Sequence, residues 1–264
     1  MERLRQPIGV FDSGLGGISV LAEAVRALPF EDFLYFGDSL HVPYGDKSPE
    51  EVLLLTRGAV SRMLGMGCKA IVLACNTATS AAAAALRQEL PQPIVGIEPA
   101  LKPASLLPGD GNVLVLATLV TLSQPKFQQL MQQYGKGAIP VPCSGLVEYV
   151  EAGQLSGPEV EECLLGLLSP YLAENIKAVV LGCTHYTFLR RTISALLGPN
   201  IPIVDGGHGT AMQLRRVLDQ KDLLQPEAEG AGEVSFLTTA VPKEAMLAKM
   251  TAMLALAMEQ IPQK

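Results

Sequence analysis

The strongest constraint on the fold is a short stretch that occurs twice. Lys69-Ala70-Ile71-Val72-Leu73-Ala74-Cys75-Asn76-Thr77 is matched by Lys177-Ala178-Val179-Val180-Leu181-Gly182-Cys183-Thr184-His185 in its lysine, its aliphatic run, its small residue and its cysteine. A short apolar run without polar alternation is the pattern of a strand covered on both faces, as in a parallel sheet. Each cysteine then sits where a strand ends and a helix is predicted to begin. Two such units imply an α/β protein of two similar three-layer lobes related by pseudo-two-fold symmetry, with their strand ends facing a shared cleft. In open α/β sheets that carboxyl edge is where ligands bind.

The rest of the chain keeps the same rhythm. Strands are predicted over residues 8–11, 33–36, 70–74, 94–97, 113–117, 178–182 and 203–204, and helices over 17–27, 49–66, 79–90, 126–134, 158–172, 187–197, 210–218 and 243–258. The chain is expected to cross between lobes near Glu98 to Lys102 and to return near Asp205. That assigns residues 1–98 plus 206–264 to the first lobe and 99–205 to the second. Of the 264 residues 48% are hydrophobic but only 5% aromatic, with no Trp. The cores must therefore be built from Ala, Leu, Val and Ile, which suits helices packed on parallel sheets.

A net charge of −6 argues against general attraction to nucleic acid, which needs a basic face to displace phosphate counterions. No apolar run has the length of a signal or membrane-spanning segment, so a soluble cytoplasmic protein is expected. Five cysteines without tight pair spacing make no disulfide framework and would persist as thiols in a reducing compartment. The Ala- and Met-rich tail, residues 246–258, reads as intramolecular packing, with a homodimer surface as the alternative.

Cys75 and Cys183, each before a predicted helix, would have amide dipoles favouring the thiolate. Two thiols on opposite sides of a cleft suit a reaction that is run from both faces of one carbon: one takes a proton and the other delivers one behind it. A lone thiol would suggest acyl or redox chemistry, and closely spaced thiols a metal or disulfide exchange. Cys68, Cys143 and Cys163 read as core thiols. Asp12 opens the glycine-rich turn 11–17, either as a cap with permissive glycines or as support for Cys75, with Ser13 as a substrate contact. His185 is placed to polarise Cys183. The turn lacks both the Lys-Ser/Thr ending of a phosphate loop and the spacing of a dinucleotide fingerprint. Pro43, Tyr44 and Gly45 fall in a loop whose amides could meet an anion. Asn76, Thr77, Thr118, Thr121 and Thr184 supply neutral donors and acceptors at other strand ends, suited to a zwitterion with a second carboxylate. The competing readings are a catalytically silent clamshell binding protein and a Cys/His metal centre.

The stretches FDSGLGG (residues 11–17), YFGDSLHVPYG (35–45), ACNTATS (74–80), GIEPA (96–100), LGCTHY (181–186) and VDGG (204–207) resemble, in this order, the glutamate racemase family of the aspartate/glutamate racemase superfamily. The resemblance implies a pyridoxal-free, cofactor-independent enzyme without a metal. It would interconvert L- and D-glutamate by a two-base mechanism and supply D-glutamate for peptidoglycan synthesis. By this likeness Cys75 takes the α-proton from D-glutamate and Cys183 from L-glutamate, Asp12 and His185 assist their neighbouring thiols, and Glu151 is a further acidic catalytic residue. Substrate contacts would fall at Asp12-Ser13, Tyr44-Gly45, Asn76-Thr77 and Thr184-His185. Leu40-His41, Ser144, Glu148 and Gly206-Gly207 depart from the family pattern. Racemases of aspartate or hydantoins and maleate isomerase-like proteins share the two-cysteine arrangement, and side-chain length selection does not follow from the sequence.

Overall fold

The computed structural model describes residues 2–227 and 230–261. The first lobe as expected from sequence also includes residues 1, 228, 229 and 262–264, which lie outside the described residues. Among the described residues nine strands form two sheets, and every pairing is parallel. The first sheet has the order β4-β3-β1-β2-β9 and contains β1 (Ile8–Asp12), β2 (Phe33–Gly37), β3 (Ala70–Leu73), β4 (Ile94–Gly96) and β9 (Val234–Thr238). The second has the order β6-β5-β7-β8 and contains β5 (Asn112–Ala117), β6 (Ala138–Pro142), β7 (Ile176–Leu181) and β8 (Ile203–Asp205).

Read from the β4 and β8 edges, the orders 4-3-1-2 and 8-7-5-6 are the same arrangement, so the doubled sequence stretch is the trace of a doubled fold. β3 and β7 are equivalent, as are β1 and β5. Equivalent backbone bonds confirm the match: Ala74 N–H donates to Phe11 O and Gly182 N–H to Leu116 O, each at 2.7 Å. Among the described residues β9 has no counterpart in the second sheet and extends the first alone.

The helices of the first half are α1 (Ile18–Ala27), α2 (Pro49–Gly65), α3 (Asn76–Glu89) and α4 (Leu101–Ser105). There follow α5 (Leu119–Ser123), α6 (Pro125–Tyr134), α7 (Leu146–Ala152), α8 (Pro158–Leu168), α9 (Arg190–Leu197), α10 (Gly207–Gln220) and α11 (Lys243–Gln260). α10 and α11 both pack on α1. β1, β2 and β3 are buried along their whole length, as strands covered on both faces must be. The largest apolar cluster runs from Ile8, Val10 and Leu21 through to Leu114, Leu116 and Val179, joining the two sheets' cores. Among the described residues no helix is long and apolar enough to cross a membrane.

The structure departs from the sequence reading in several places. β6 and β9 were not anticipated: Ala-Ile-Pro-Val-Pro carries two prolines, which only an edge strand tolerates, and both strands lie at sheet edges. The short helices α4, α5 and α7 were also unforeseen. α3 starts at Asn76 rather than Thr79, making Cys75 itself the N-cap. After Cys183 the chain forms a 3-10 turn, His185–Leu189, before α9, so the helix expected from Thr187 begins only at Arg190.

Candidate active site

In each sheet the strand order reverses between equivalent strands, β1 and β3 in one, β5 and β7 in the other. A crevice opens where neighbouring connections leave in opposite directions. Asp12, Ser13 and Cys75 emerge at the first reversal, and Thr118 and Cys183 at the second. The two crevices meet. Cys75 and Cys183, each less than one-tenth exposed, line a single cavity together with Ser13, Pro43, Tyr44, Gly45, Asn76, Thr77, Thr118, Thr184 and His185. Its volume is about 20 Å³, room for roughly one water. Thr121 lies just behind, 3.0 Å from Thr118 and 3.4 Å from Thr77, hydroxyl to hydroxyl. Asp12 and Glu151 stand behind the lining and act on it through hydrogen bonds.

Cys75 is held by α3. Its Sγ accepts from Ala78 N–H at 3.4 Å and from the Ser13 hydroxyl at 3.7 Å. Burial first and the Asp12 charge second nevertheless push this thiol up to about 12, against the lowering effect of those two donors. The sequence reading, that helix dipoles would favour the thiolate here, is therefore corrected: the amide is present, but desolvation outweighs it. The Asp12 carboxylate accepts from Gly14 N–H at 2.9 Å and from the Thr184 hydroxyl at 3.1 Å, and burial raises its pKa. Its direct bonds thus run to its own turn and to the opposite lobe, while Ser13 makes the contact with Cys75. Tyr44 is fixed by its hydroxyl donating to Asp38 at 2.7 Å, and Asp38 also receives Thr239 and His41, each at 2.8 Å.

Cys183 is served differently. Its Sγ lies 3.8 Å from His185 Nδ1, and His185 Nε2 lies 2.7 Å from Glu151 Oε1. Gly16 N–H also points at Nε2, from 3.3 Å, but the carboxylate is much nearer; with Nε2–H donating to Glu151, Nδ1 is left to exchange a proton with the thiol. Burial alone would lower the His185 pKa, but the hydrogen bonds and charges of Cys183 and Glu151 outweigh it and raise the pKa well above the usual value. The same Glu151 oxygen accepts Leu15 N–H at 2.6 Å, so a first-lobe amide holds a second-lobe carboxylate. The glycines of the turn make this approach possible. A Cβ on Gly14 would stand 2.0 Å from Glu151 Oε1, and one on Gly16 2.4 Å from His185 Nδ1. Both glycines are there for contact between lobes.

Two cavity residues, Val147 and Gly182, escaped the sequence reading. Val147 lies four residues before Glu151 on α7, hence on the same helix face, and that spacing was the available signal. Gly182 is the small residue of the repeat; a Cβ there would come within 2.9 Å of Ala117 Cβ. Asn76, 5% exposed, lines the cavity with its Oδ1 lacking a protein partner. All five cysteines are free. Among the described residues no group of three or more His, Cys, Asp or Glu side chains is arranged to hold a metal ion. A pair of buried thiols at symmetry-equivalent strand ends, one capped by a helix and one linked to a His–Glu pair, can move protons at opposite faces of one small molecule.

Comparison with known proteins agrees with this geometry. A family model described as Asp/Glu/Hydantoin racemase matches residues 11–214. The glutamate racemase of Clostridium perfringens (strain SM101 / Type A) is 48% identical over 236 residues, covering 88% of this chain and 90% of its own. Glutamate racemase isoform RacE1 from Bacillus anthracis superposes with a TM-score of 0.83 at 31% identity, covering 95% and 94% of the two chains. Glutamate racemase from Thermus thermophilus, solved in complex with beta-chloro-D-alanine, gives 0.80 at 35% identity over 99% and 97%.

Proposed function

We propose that this chain, which belongs to the Asp/Glu/Hydantoin racemase family, interconverts L- and D-glutamate, with Cys75 and Cys183 as the two opposed acid/base groups. The observation that carries the reading is the pair of thiols at equivalent ends of β3 and β7, facing one cavity. In the D-to-L direction the Cys75 thiolate takes the α-proton, leaving the electron pair on a carbanion delocalised into the α-carboxylate. The Cys183 thiol then gives its proton to the opposite face and is left as the thiolate. The L-to-D direction runs the same steps with the roles exchanged.

The surroundings suit these tasks. A thiol raised to about 12 is a strong base once deprotonated, and a bound α-ammonium group would offset the burial and negative charge that keep it protonated. His185, oriented by Glu151, takes and returns the proton of Cys183. Asp12 assists Cys75 by its charge, with Ser13 as the contacting hydroxyl. The unpaired Asn76 Oδ1 and the Thr77, Thr118, Thr121 and Thr184 hydroxyls offer acceptors and donors to a zwitterion and its second carboxylate, and Pro43-Tyr44-Gly45 closes the cavity over them. A site with room for about one water must part its walls to admit glutamate and then exclude solvent. Five free thiols suit a reducing cytoplasmic compartment, and the D-glutamate produced would serve peptidoglycan synthesis.

The test is racemisation of L- and D-glutamate followed by circular dichroism or chiral chromatography, with aspartate in parallel. Conversion of both glutamate enantiomers with little turnover of aspartate is expected; aspartate turned over as well as glutamate would overturn the substrate assignment.

A further inference from the structure

Glu151 is held at both ends, and its backbone end is held by a part of the chain remote from the cleft. The side chain reaches His185 and Leu15 N–H. The main-chain carbonyl accepts a hydrogen bond from Lys249 Nζ, on α11. α7 is only seven residues long and is closed by Gly153, whose left-handed backbone (φ 86°) turns the chain back so that Gly153 N–H donates to the Val150 carbonyl and Gln154 N–H to that of Tyr149. The Glu151 carbonyl is left over by that cap, and the ammonium group of Lys249 takes it at the negative end of the helix. The lysine stem runs past Gly153 at van der Waals distance: a Cβ there would lie 3.7 Å from Lys249 Cε. α11 is itself anchored on the first lobe. It packs on α1, and Met250, the next residue, is fully buried against Gly37, where a Cβ would come within 2.6 Å of Met250 Cε.

We propose that Lys249 is a positioning residue for the Cys183 half of the site: by fixing the Glu151 carbonyl from α11 it keeps the Glu151 carboxylate on His185 Nε2. A helix as short as α7 has little intrinsic stability, so its last turn depends on such outside contacts. Lys249 lies beyond residues 11–214, the span matched by the family model. Through it the C-terminal helix acts most directly on one thiol of the pair, because Glu151 bonds the His185 that serves Cys183, while the hydrogen bonds of Cys75 itself run to Ala78 and Ser13.

The first measurement needs no turnover. The protein has three histidines, so the ring protons of His185 can be followed by NMR after labelling with ¹⁵N-histidine. The Nε2 proton should be protected from solvent exchange in the unmodified protein and in Lys249→Arg, which keeps a cationic donor, and lost to exchange in Lys249→Ala. The second rests on the racemase reading. Lys249→Ala should lower kcat about tenfold with KM within about twofold, since an ångström-scale misplacement of a catalytic group costs rate rather than binding. Lys249→Arg should restore most of the loss, and Lys249→Ala should add less than about twofold in a Glu151→Gln background, where the carboxylate is already gone. If Lys249→Ala is insoluble, Lys249→Met keeps the apolar stem and is read the same way. A protected His185 proton in Lys249→Ala, or the full tenfold loss recurring with Glu151→Gln, would overturn the proposal. A failure of the racemase reading would show separately, as an unmodified protein that leaves glutamate untouched while the NMR comparison still decides the role of Lys249.

Discussion

Cys75 and Cys183 occupy equivalent strand ends but are poised by different neighbours, a helix N-terminus and Ser13 for one, His185 with Glu151 for the other. Replacing either thiol by Ala should lower racemisation at least a thousandfold, within the ~10²–10⁴ usually lost with a general acid or base, and Ser should retain at most a trace. Steady-state rates from both enantiomers check this; an Ala variant with activity near that of the unmodified protein would remove that thiol from the mechanism. Asp12 gives a prediction of opposite sign for stability. Burial raises its pKa above the ordinary 3.8, so ionising it costs the folded state free energy that is absent below the unfolded value and grows as pH rises through the folded one. Asp12→Asn should therefore be more resistant to denaturant than the unmodified protein at pH 8, with the gap closing towards pH 4, while losing activity. Equal midpoints at both pH values would contradict the assignment. The cysteines and their polar neighbours were legible in the sequence because a repeated pattern marks equivalent positions. The protonation of Cys75 was not, because desolvation depends on everything packed around a group.

In the glycine-rich turn between β1 and α1 the sequence points to Asp12 and Ser13 but not to the reason for the glycines. Its sequence allows either a helix cap or a ligand loop; its glycines are needed because Glu151 and His185 press against the turn from the other lobe. Gly14→Ala should cost roughly a hundredfold in activity, the scale of an ångström displacement at a reacting centre. Gly58→Ala, in the open middle of α2, should leave activity unchanged and raise stability by about 1 kcal/mol. Parallel assays and melts of the two variants check the contrast, and a fully active Gly14→Ala would refute the close-contact role. At the amino ends of β3 and β2, opposite the cleft, the Lys69 ammonium is buried against Glu31 at 2.5 Å and donates to Leu4 O, while Glu31 also accepts Gln225 N–H. Glu31→Ala leaves that charge buried and unpaired and should cost roughly 3–5 kcal/mol of unfolding free energy, read from urea denaturation; a loss under about 1 kcal/mol would show that solvent reaches the pair. β6 and β9 are hidden in the sequence by prolines and by a polar approach, which edge strands tolerate and central strands do not.

At the scale of the molecule, one arrangement of four parallel strands used twice sets two thiols facing each other, and the β9–α11 tail extends one copy and reaches across to the other through Lys249. The doubling was visible in the sequence, since it leaves the same residues at the same strand ends. The closure of the cleft was not, since it arises from contacts between residues far apart in the chain, such as Thr184 with Asp12 and Leu15 with Glu151. The most direct test of the opposed-thiol account is racemisation of each glutamate enantiomer in D₂O, stopped early, with the α-hydrogen of substrate and product read by NMR. A thiol carries one proton, so the hydrogen removed stays on one cysteine while the other delivers a deuteron from solvent. The account predicts product deuterated at Cα and recovered substrate still protiated, in both directions. Product that keeps the substrate's own hydrogen, or deuterium entering substrate and product alike from the start, would contradict it.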